Sequence, residues 1–289
     1  MSQSILITGA AKGFGRLIAD TLIDAGHKVI ATMRDPKGRN AEHADALQAK
    51  GATVVAIDVT DETSVGNGVE QALKQAGHID ILINNAGVGA IGLQEAFTTE
   101  DWQKIFDLNV FGVQRMNRAV LPHMRERKQG LIIHVSSLLG RFCMPFLGPY
   151  NASKHALEAL ADNYRLELSG SGVESILVEP GGYATDFHTS SVAASDAVRA
   201  ATYGDFANAP EQTMSAFAEN LKGDTAPNPQ MVADAILEVI NKPQGQRPFR
   251  TVVDGLGMGQ PIETLNQTSD QVTTGIYTAF GMESMLKLQ

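Results

Sequence analysis

Short apolar runs rich in Ile, Leu and Val recur along the first 180 residues, separated by longer stretches in which apolar residues return every three or four positions. The short runs predict strands at Ile5–Thr8, Lys28–Met33, Thr53–Ile57, Ile79–Asn84, Leu131–Ser136 and Glu174–Val178. None alternates cleanly between apolar and polar, as expected of strands buried on both faces in a parallel sheet covered by helices. The intervening pattern predicts helices at Phe14–Ala25, Ala41–Lys50, Glu62–Gln75, Glu100–Arg127 and Asn151–Leu168. Gly26 and Gly51 fall just past helix ends, where a left-handed cap is favoured. Strand-helix alternation of this kind predicts a doubly wound α/β sheet, in which ligands bind outside the carboxyl ends of the strands. Thr8, Asn84 and Ser136 lie at those ends.

The pattern changes after residue 185. The segment 186–228 is rich in Ala, Ser, Thr and Asn, with breakers at Pro210, Pro227 and Pro229. It reads as one or two mobile helices inserted before a helix at Met231–Asn241 and a last strand at Arg250–Val253. The final thirty or so residues show only weak periodicity. No internal repeat or low-complexity segment stands out, so residues 1–289 read as a single domain with 186–228 as a substrate-binding lid.

Composition narrows the function. The 289 residues are 43% hydrophobic and 19% charged, an ordinary globular balance. A net charge of -9 disfavours nucleic acid and anionic membranes as partners. The lone Cys143 excludes an intrachain disulfide and a cysteine-based zinc site. No His/Asp/Glu cluster has metal-ligand spacing, so no catalytic metal is expected. The N-terminus does not read as a signal peptide, and no apolar run is long enough to span a bilayer. The expectation is a soluble cytoplasmic protein without membrane insertion.

Three segments carry chemistry. The first strand-helix turn reads Thr8-Gly-Ala-Ala-Lys-Gly-Phe-Gly15. Glycines at Gly9, Gly13 and Gly15 let the backbone approach a pyrophosphate, and the following helix offers it free N–H groups. Tyr150-Asn-Ala-Ser-Lys154 sets a phenol and an ammonium one helical turn apart on one face. A tyrosine titrates near 10, and a neighbouring cation is expected to draw that value toward neutrality, making Tyr150 an acid-base group. Ser137, thirteen positions earlier at a strand end, is placed to donate a hydrogen bond to a developing oxyanion. Ser136 is the weaker candidate. His134 and His155 read as packing or surface residues.

The glycine turn (Gly-x-x-x-Gly-x-Gly) and the ordered Ser137, Tyr150, Lys154 set resemble the short-chain dehydrogenases/reductases, whose fold is a Rossmann-like doubly wound parallel sheet. The resemblance covers residues 4–187 strongly. It implies that Ser137 polarises a carbonyl, that Tyr150 transfers the proton and that Lys154 tunes Tyr150 and holds the nicotinamide ribose. It implies that Asn109, in Leu108-Asn-Val-Phe-Gly112, anchors a water relay to the lysine. It implies cofactor contacts from Gly9, Lys12, Gly13, Phe14, Gly15, Arg34, Asp58, Val59, Asn85, Ala86, Gly87, Tyr150, Lys154, Pro180, Gly181, Tyr183 and Thr185. Asp58 holds the adenine amine in this scheme, although an acid there also suits a helix N-cap, a role Asp61 fills equally well.

At the end of the second strand the family's acidic position holds Met33, and the basic position after it holds Arg34. With Lys12 in the glycine turn, this implies NADP(H) rather than NAD(H). The alternative is a solvated Lys12 and an Arg34 paired with Asp35. The overall pattern is similar to the branch of hydroxysteroid and retinol dehydrogenases and bacterial carbonyl reductases. Phe142, Cys143, Met144, Phe146 and Leu147 are expected to wall an apolar pocket, with Phe187, Met214 and Phe217 as its lid. The implied activity is NADP(H)-dependent interconversion of a hydrophobic ketone or aldehyde and its alcohol. A non-catalytic NADP(H) sensor and an epimerase or dehydratase on the same scaffold are the alternatives. The family implies a homodimer or homotetramer through Glu100–Arg127 and Asn151–Leu168.

Overall fold

A computed structural model describes residues 2–185, 187–223 and 226–289. Seven strands, β1 (Ser4–Ile7), β2 (Lys28–Met33), β3 (Thr53–Ala56), β4 (Ile81–Asn84), β5 (Gly130–Val135), β6 (Val173–Pro180) and β7 (Arg250–Val253), form one sheet. Their order is β3-β2-β1-β4-β5-β6-β7 and every pairing is parallel. The strand order reverses at β1, which lies between β2 and β4, and this opens a crevice at their carboxyl ends.

The lack of alternation in the apolar runs now has its reason. Ile5 and Ile7 pack toward α1 (Gly13–Asp24), while Leu6, between them, packs toward α3 (Glu62–Ala76) on the other face. Ile81 and Ile83 against Leu82 divide the same way. Between β2 and β3 runs α2 (Ala41–Ala49). The left-handed residues expected after α1 and α2 are present at Gly26 (φ +84°) and Gly51 (φ +98°).

The predicted single helix over Glu100–Arg127 is instead two helices, α4 (Thr99–Phe106) and α5 (Gly112–Arg127), joined by a π-helical turn at Asp107–Phe111. The periodic apolar pattern passes through this wider turn almost unchanged, so the sequence alone reads as continuous helix. What holds the turn is side-chain bonding. Asn109 Oδ1 accepts from Val88 N–H (2.8 Å), and its Nδ2 donates to Val88 O (2.9 Å) and Ser153 Oγ (3.0 Å). Arg115 clamps the same turn through Asp107 Oδ1 at 2.6 Å. Such turns cluster at functional sites.

Next comes α6 (Gly148–Glu167), which begins with Pro149 in its first turn and so includes Tyr150. The described part of the insert forms α7 (Phe187–Ser190), α8 (Ala197–Ala201), a 3₁₀ turn at Gly204–Asn208 and α9 (Ala209–Glu219). Its base is tied down by a two-residue parallel pairing of Ala90–Ile91 with Val192–Ala193 that the sequence did not foretell. Ser195 Oγ also donates to Asp101 at 2.6 Å, and Tyr203 to Glu95 at 2.6 Å. After α10 (Gln230–Asn241) and β7 comes α11 (Gly259–Ala279), a 21-residue helix. Few of its side chains are buried, which is why its periodicity is faint. No helix among the described residues is long and apolar enough to cross a membrane.

Candidate active site

At the crevice beside β1 the chain makes a glycine turn whose geometry is tightly specified. Gly9 has φ +67° and Gly13 φ +54°, left-handed values that favour glycine. A Cβ on Gly15 would stand 2.3 Å from Gly9 O and 2.5 Å from Asn85 Nδ2, so only hydrogen fits there. Asn85 locks the turn from β4, its Nδ2 donating to Thr8 O (2.9 Å) and Gly9 O (3.3 Å). Thr8 Oγ1 in return accepts from the N–H groups of Asn85 and Ala86, each at 3.0 Å.

Helix α1 starts without a side-chain cap and without an acid in its first turn. By contrast Asp61 caps α3, and a reciprocal Thr98–Asp101 box caps α4. The open N–H groups of α1 therefore remain available to an anion. They face a cleft lined by Gly9, Lys12, Gly13, Phe14, Arg34, Asp58, Val59, Asn85, Ala86, Gly87, Tyr150, Lys154 and Thr185. Gly15 is buried behind the turn rather than in the cleft wall. Because Asp61 is the α3 cap, Asp58 is free to form a turn with Thr60, accepting from its N–H at 3.0 Å and its hydroxyl at 2.7 Å. Partial burial raises the Asp58 carboxyl, but the two Thr60 bonds and the charges of Arg34 and Arg39 outweigh it and hold it below the usual range.

Lys12 and Arg34 are exposed at the rim of this cleft, and neither has an ion-pair partner among the described residues. Asp35, the partner expected in the simplest reading of Arg34, instead accepts from Arg39 N–H at 3.0 Å. An uncapped helix end, a glycine turn with open space over Gly13 and two unpaired cations fit a phosphorylated dinucleotide.

Tyr150, Lys154 and Glu158 lie one turn apart along α6, and all three are buried. The Lys154 ammonium donates to Val135 O at 2.9 Å and sits 5.7 Å from the Tyr150 ring centroid. Burial pushes the Tyr150 phenol up to about 12, only partly opposed by a hydrogen bond with Ser137. The expected lowering by Lys154 is thus not what this arrangement produces, because the ammonium is turned to a strand carbonyl while the phenol is fully desolvated. Burial also draws Lys154 down to about 8, opposed by the negative charge of Glu158. Ser137 Oγ accepts from Leu139 N–H at 3.1 Å and contacts Pro180 O at 3.5 Å. The Ser136 hydroxyl is buried beside Gly140 without a hydrogen-bond partner among the described residues.

A second, apolar pocket adjoins the cleft. Ser137, Leu138, Leu139, Phe142, Met144, Leu147, Pro180, Gly181, Tyr183, Met214, Phe217 and Met258 line it. Phe14, Ser136, Tyr150, Thr185 and Phe187 line both cavities. The phenol therefore stands at the boundary between them, with the Phe187 ring edge-on to it at 5.0 Å.

A family model described as short chain dehydrogenase matches residues 3–196. The chain is a short-chain dehydrogenase. Among curated members it is 35% identical over 247 residues to the uncharacterized oxidoreductase YusZ of Bacillus subtilis, covering 82% of this chain and 84% of that one. It is 40% identical over 185 residues to a 3-ketodihydrosphingosine reductase of Bacteroides thetaiotaomicron, covering 64% of this chain and 65% of the relative. Of solved structures, a short-chain dehydrogenase from Streptomyces avermitilis superposes with TM-score 0.76 at 28% identity, covering 97% and 98% of the two chains. One from Burkholderia phymatum (TM-score 0.75, 25% identity, 95% of each chain) is in complex with NAD. A serine dehydrogenase (TM-score 0.71, 28% identity, 86% and 94%) is complexed with NADP+.

Several expected positions fall elsewhere in this dehydrogenase. Pro180, Gly181 and Tyr183 line the apolar pocket and not the cleft. Tyr183 packs edge-on to Phe14 at 5.6 Å, and its buried hydroxyl has no hydrogen-bond partner among the described residues. Burial, followed by the charge of Asp254, pushes that phenol up to about 12. Cys143 is exposed, and Phe146 turns away from the pocket to pack on Phe206 at 5.8 Å. The side chain of Asn109 lines neither cavity and serves the π turn. His134 is fully buried between Asn84 and Ser175, and desolvation lowers it to about 3, so it stays neutral. His155 is exposed. No group of His, Cys, Asp and Glu among the described residues is arranged to hold a metal. Sequence reasoning missed Asn40 and Leu108 in the cleft and Met258 in the pocket. Leu108 adjoins the recognised Asn109, a signal that was available. Met258 arrives from the loop before α11 and carries no local signal.

Proposed function

We propose that this short-chain dehydrogenase is an NADP(H)-dependent oxidoreductase that interconverts a hydrophobic ketone or aldehyde and its alcohol, with Tyr150 as acid/base. The observation that carries this reading is the position of Tyr150 in the wall shared by a phosphate-binding cleft and an apolar pocket. A carbonyl entering from the apolar side meets the phenol and Ser137 together. A nicotinamide held in the cleft would supply or accept the hydride.

A phenol held near 12 is protonated at neutral pH, which suits it to deliver a proton to the oxygen as reduction proceeds. Ser137 donates a hydrogen bond to the same oxygen as charge develops. Lys154, on the cleft side, is kept charged near neutrality by Glu158 and holds the ribose hydroxyls. Lys12 and Arg34 supply the preference for a 2′-phosphate, with no acid at Met33 to repel it. Gly9, Gly13 and Gly87 line the dinucleotide path, Asp58 and Val59 take the adenine, and Thr185 takes the carboxamide. Segment 186–228 acts as the lid over the pocket. A cytoplasmic location and a homodimeric or homotetrameric assembly through α4, α5 and α6 belong to the same reading.

The test is the initial rate of NADPH and NADH consumption with a panel of hydrophobic aldehydes and ketones. NADPH is expected to be preferred, and Tyr150→Phe to lower the rate by about 10²–10⁴-fold. A preference for NADH would overturn the roles given to Lys12 and Arg34, and an unimpaired Tyr150→Phe would overturn the acid/base assignment.

A further inference from the structure

The pocket beside Tyr150 is small, with a cavity volume of about 110 Å³. A second, apolar groove of about 450 Å³, more open to solvent, lies against α9. Met214 is the residue that lines both, among the described residues. Most of the second wall is small and apolar: Ala96, Ala194, Ala207 and Ala218, with Leu93 and Pro210. Its polar members, Glu211 and Ser215, are exposed, so they stay hydrated and do not need a ligand partner. Met214 itself is buried, and an unbranched thioether with three rotatable bonds can swing aside without moving the backbone. Its rotation would join the two cavities into one bent channel leading away from the phenol.

We propose that the substrate is a long-chain aliphatic aldehyde or ketone whose unbranched alkyl tail occupies this alanine-lined chamber, with Met214 as the gate between tail and reacting carbonyl. The proposal rests on the reductase reading above and adds its substrate class. The small pocket holds the carbonyl and the first few carbons, and leaves a longer tail no room on that side. The groove wall is largely apolar and its two polar members are exposed, so it offers a tail apolar contact rather than hydrogen bonds. Alanine side chains leave a narrow trough, which suits a polymethylene chain better than a fused ring system. The half-exposed Phe206, next to Ala207 and packed at a tilt against Phe146, gives the groove an apolar approach from solvent.

The experiment compares kcat/KM for butanal and decanal with NADPH, and the calorimetric binding of 1-butanol and 1-decanol, in the wild-type protein and in Ala218→Trp. Each methylene moved fully from water to the chamber raises affinity about fourfold. Six methylenes, partly buried, are therefore expected to raise kcat/KM for decanal over butanal by at least about a hundredfold. Ala218→Trp fills the trough and is expected to collapse that ratio toward one and to abolish decanol binding. A wild-type ratio near one would overturn the chamber while leaving the reductase reading in place. Decanol binding that Ala218→Trp abolishes, with neither aldehyde turned over, would uphold the chamber and remove the reductase reading. A polycyclic ketone favoured as strongly as decanal would overturn the assignment to an unbranched chain.

Discussion

Two glycines in the first turn are predicted to fail for different reasons when each is given a single methyl group. In Gly15→Ala the added Cβ would lie 2.3 Å from Gly9 O, while ordinary contact begins near 3.4 Å, so the backbone must retreat by about 1 Å. Overpacking of this kind costs about 1–3 kcal/mol. The same Cβ meets Asn85 Nδ2 at 2.5 Å and displaces the amide from Thr8 O and Gly9 O, two bonds worth about 1 kcal/mol each. The sum, about 3–5 kcal/mol, corresponds to a Tm drop of about 5–8 °C for a chain of this size. Gly13→Ala meets no atom within 4 Å, so its cost is only the left-handed conformation at φ +54°, about 1–2 kcal/mol. Its methyl, however, projects into the cleft. Thermal melts with and without NADPH separate the two effects, because ligand stabilisation follows the ratio of free ligand to Kd. Gly15→Ala is expected to show the larger drop without cofactor. Gly13→Ala is expected to melt closer to wild type yet lose most of the NADPH-dependent shift. A Gly15→Ala protein that melts like wild type would refute the clash, and a Gly13→Ala protein with a full NADPH shift would refute the cradle.

Two further outcomes follow from buried groups. Burial, then the charge of Glu158, pushes the Glu179 carboxyl up to about 8 from an ordinary 4.5, so over that interval the unfolded chain has lost a proton that the folded one keeps. Stability must then fall as pH rises from about 4.5 to about 8, and Glu179→Gln should remove that part of the slope, as read from urea midpoints across the interval; parallel slopes for the two proteins would contradict the assignment. Asn109→Ala strips the partners of Val88 and Ser153 from a nearly inaccessible position and should cost about 2–4 kcal/mol. A melt unchanged from wild type would show that the π turn does not depend on Asn109.

Glu179 belongs to a buried network that explains how Lys154 keeps its charge. Glu158, one turn beyond Lys154, is itself bound through Oε2 to Arg250 Nε at 3.0 Å. Arg250 also reaches Asp162 at 2.7 Å and lies 3.5 Å from Glu179, while Asn266 of α11 donates to Glu179 at 2.6 Å. One cation cannot fully neutralise two buried carboxylates, and the conflict is relieved by Glu179 holding its proton. Glu158 faces Lys154 and opposes its loss of a proton; Glu179, more deeply placed, keeps its own. The C-terminal helix, little buried and weakly patterned, thus joins this buried network through Asn266.

The sheet and its main helices were legible because burial on both faces writes itself as runs of Ile, Leu and Val, and because glycine turns and a Tyr-x-x-x-Lys pair have fixed spacings that survive without structure. What was illegible depends on partners remote in sequence. The break at Asp107–Phe111 leaves the apolar period nearly intact, since its cause is the bonding of Asn109 to Val88 and Ser153, 21 and 44 residues away. Phe146 and Cys143 sit among pocket residues in sequence, yet a left-handed φ of +67° at Phe146 turns that side chain out to Phe206. The rise of Tyr150 to about 12 was invisible for the same reason. Proximity of a lysine along a helix says that two groups share a face, but the direction of a pKa depends on where the ammonium points and on how much water is lost. Here the ammonium points to Val135 O, and burial of the phenol sets the direction. The motif spacing therefore put Tyr150 and Lys154 one turn apart on one helix, while the protonation of each was set by the packing around it.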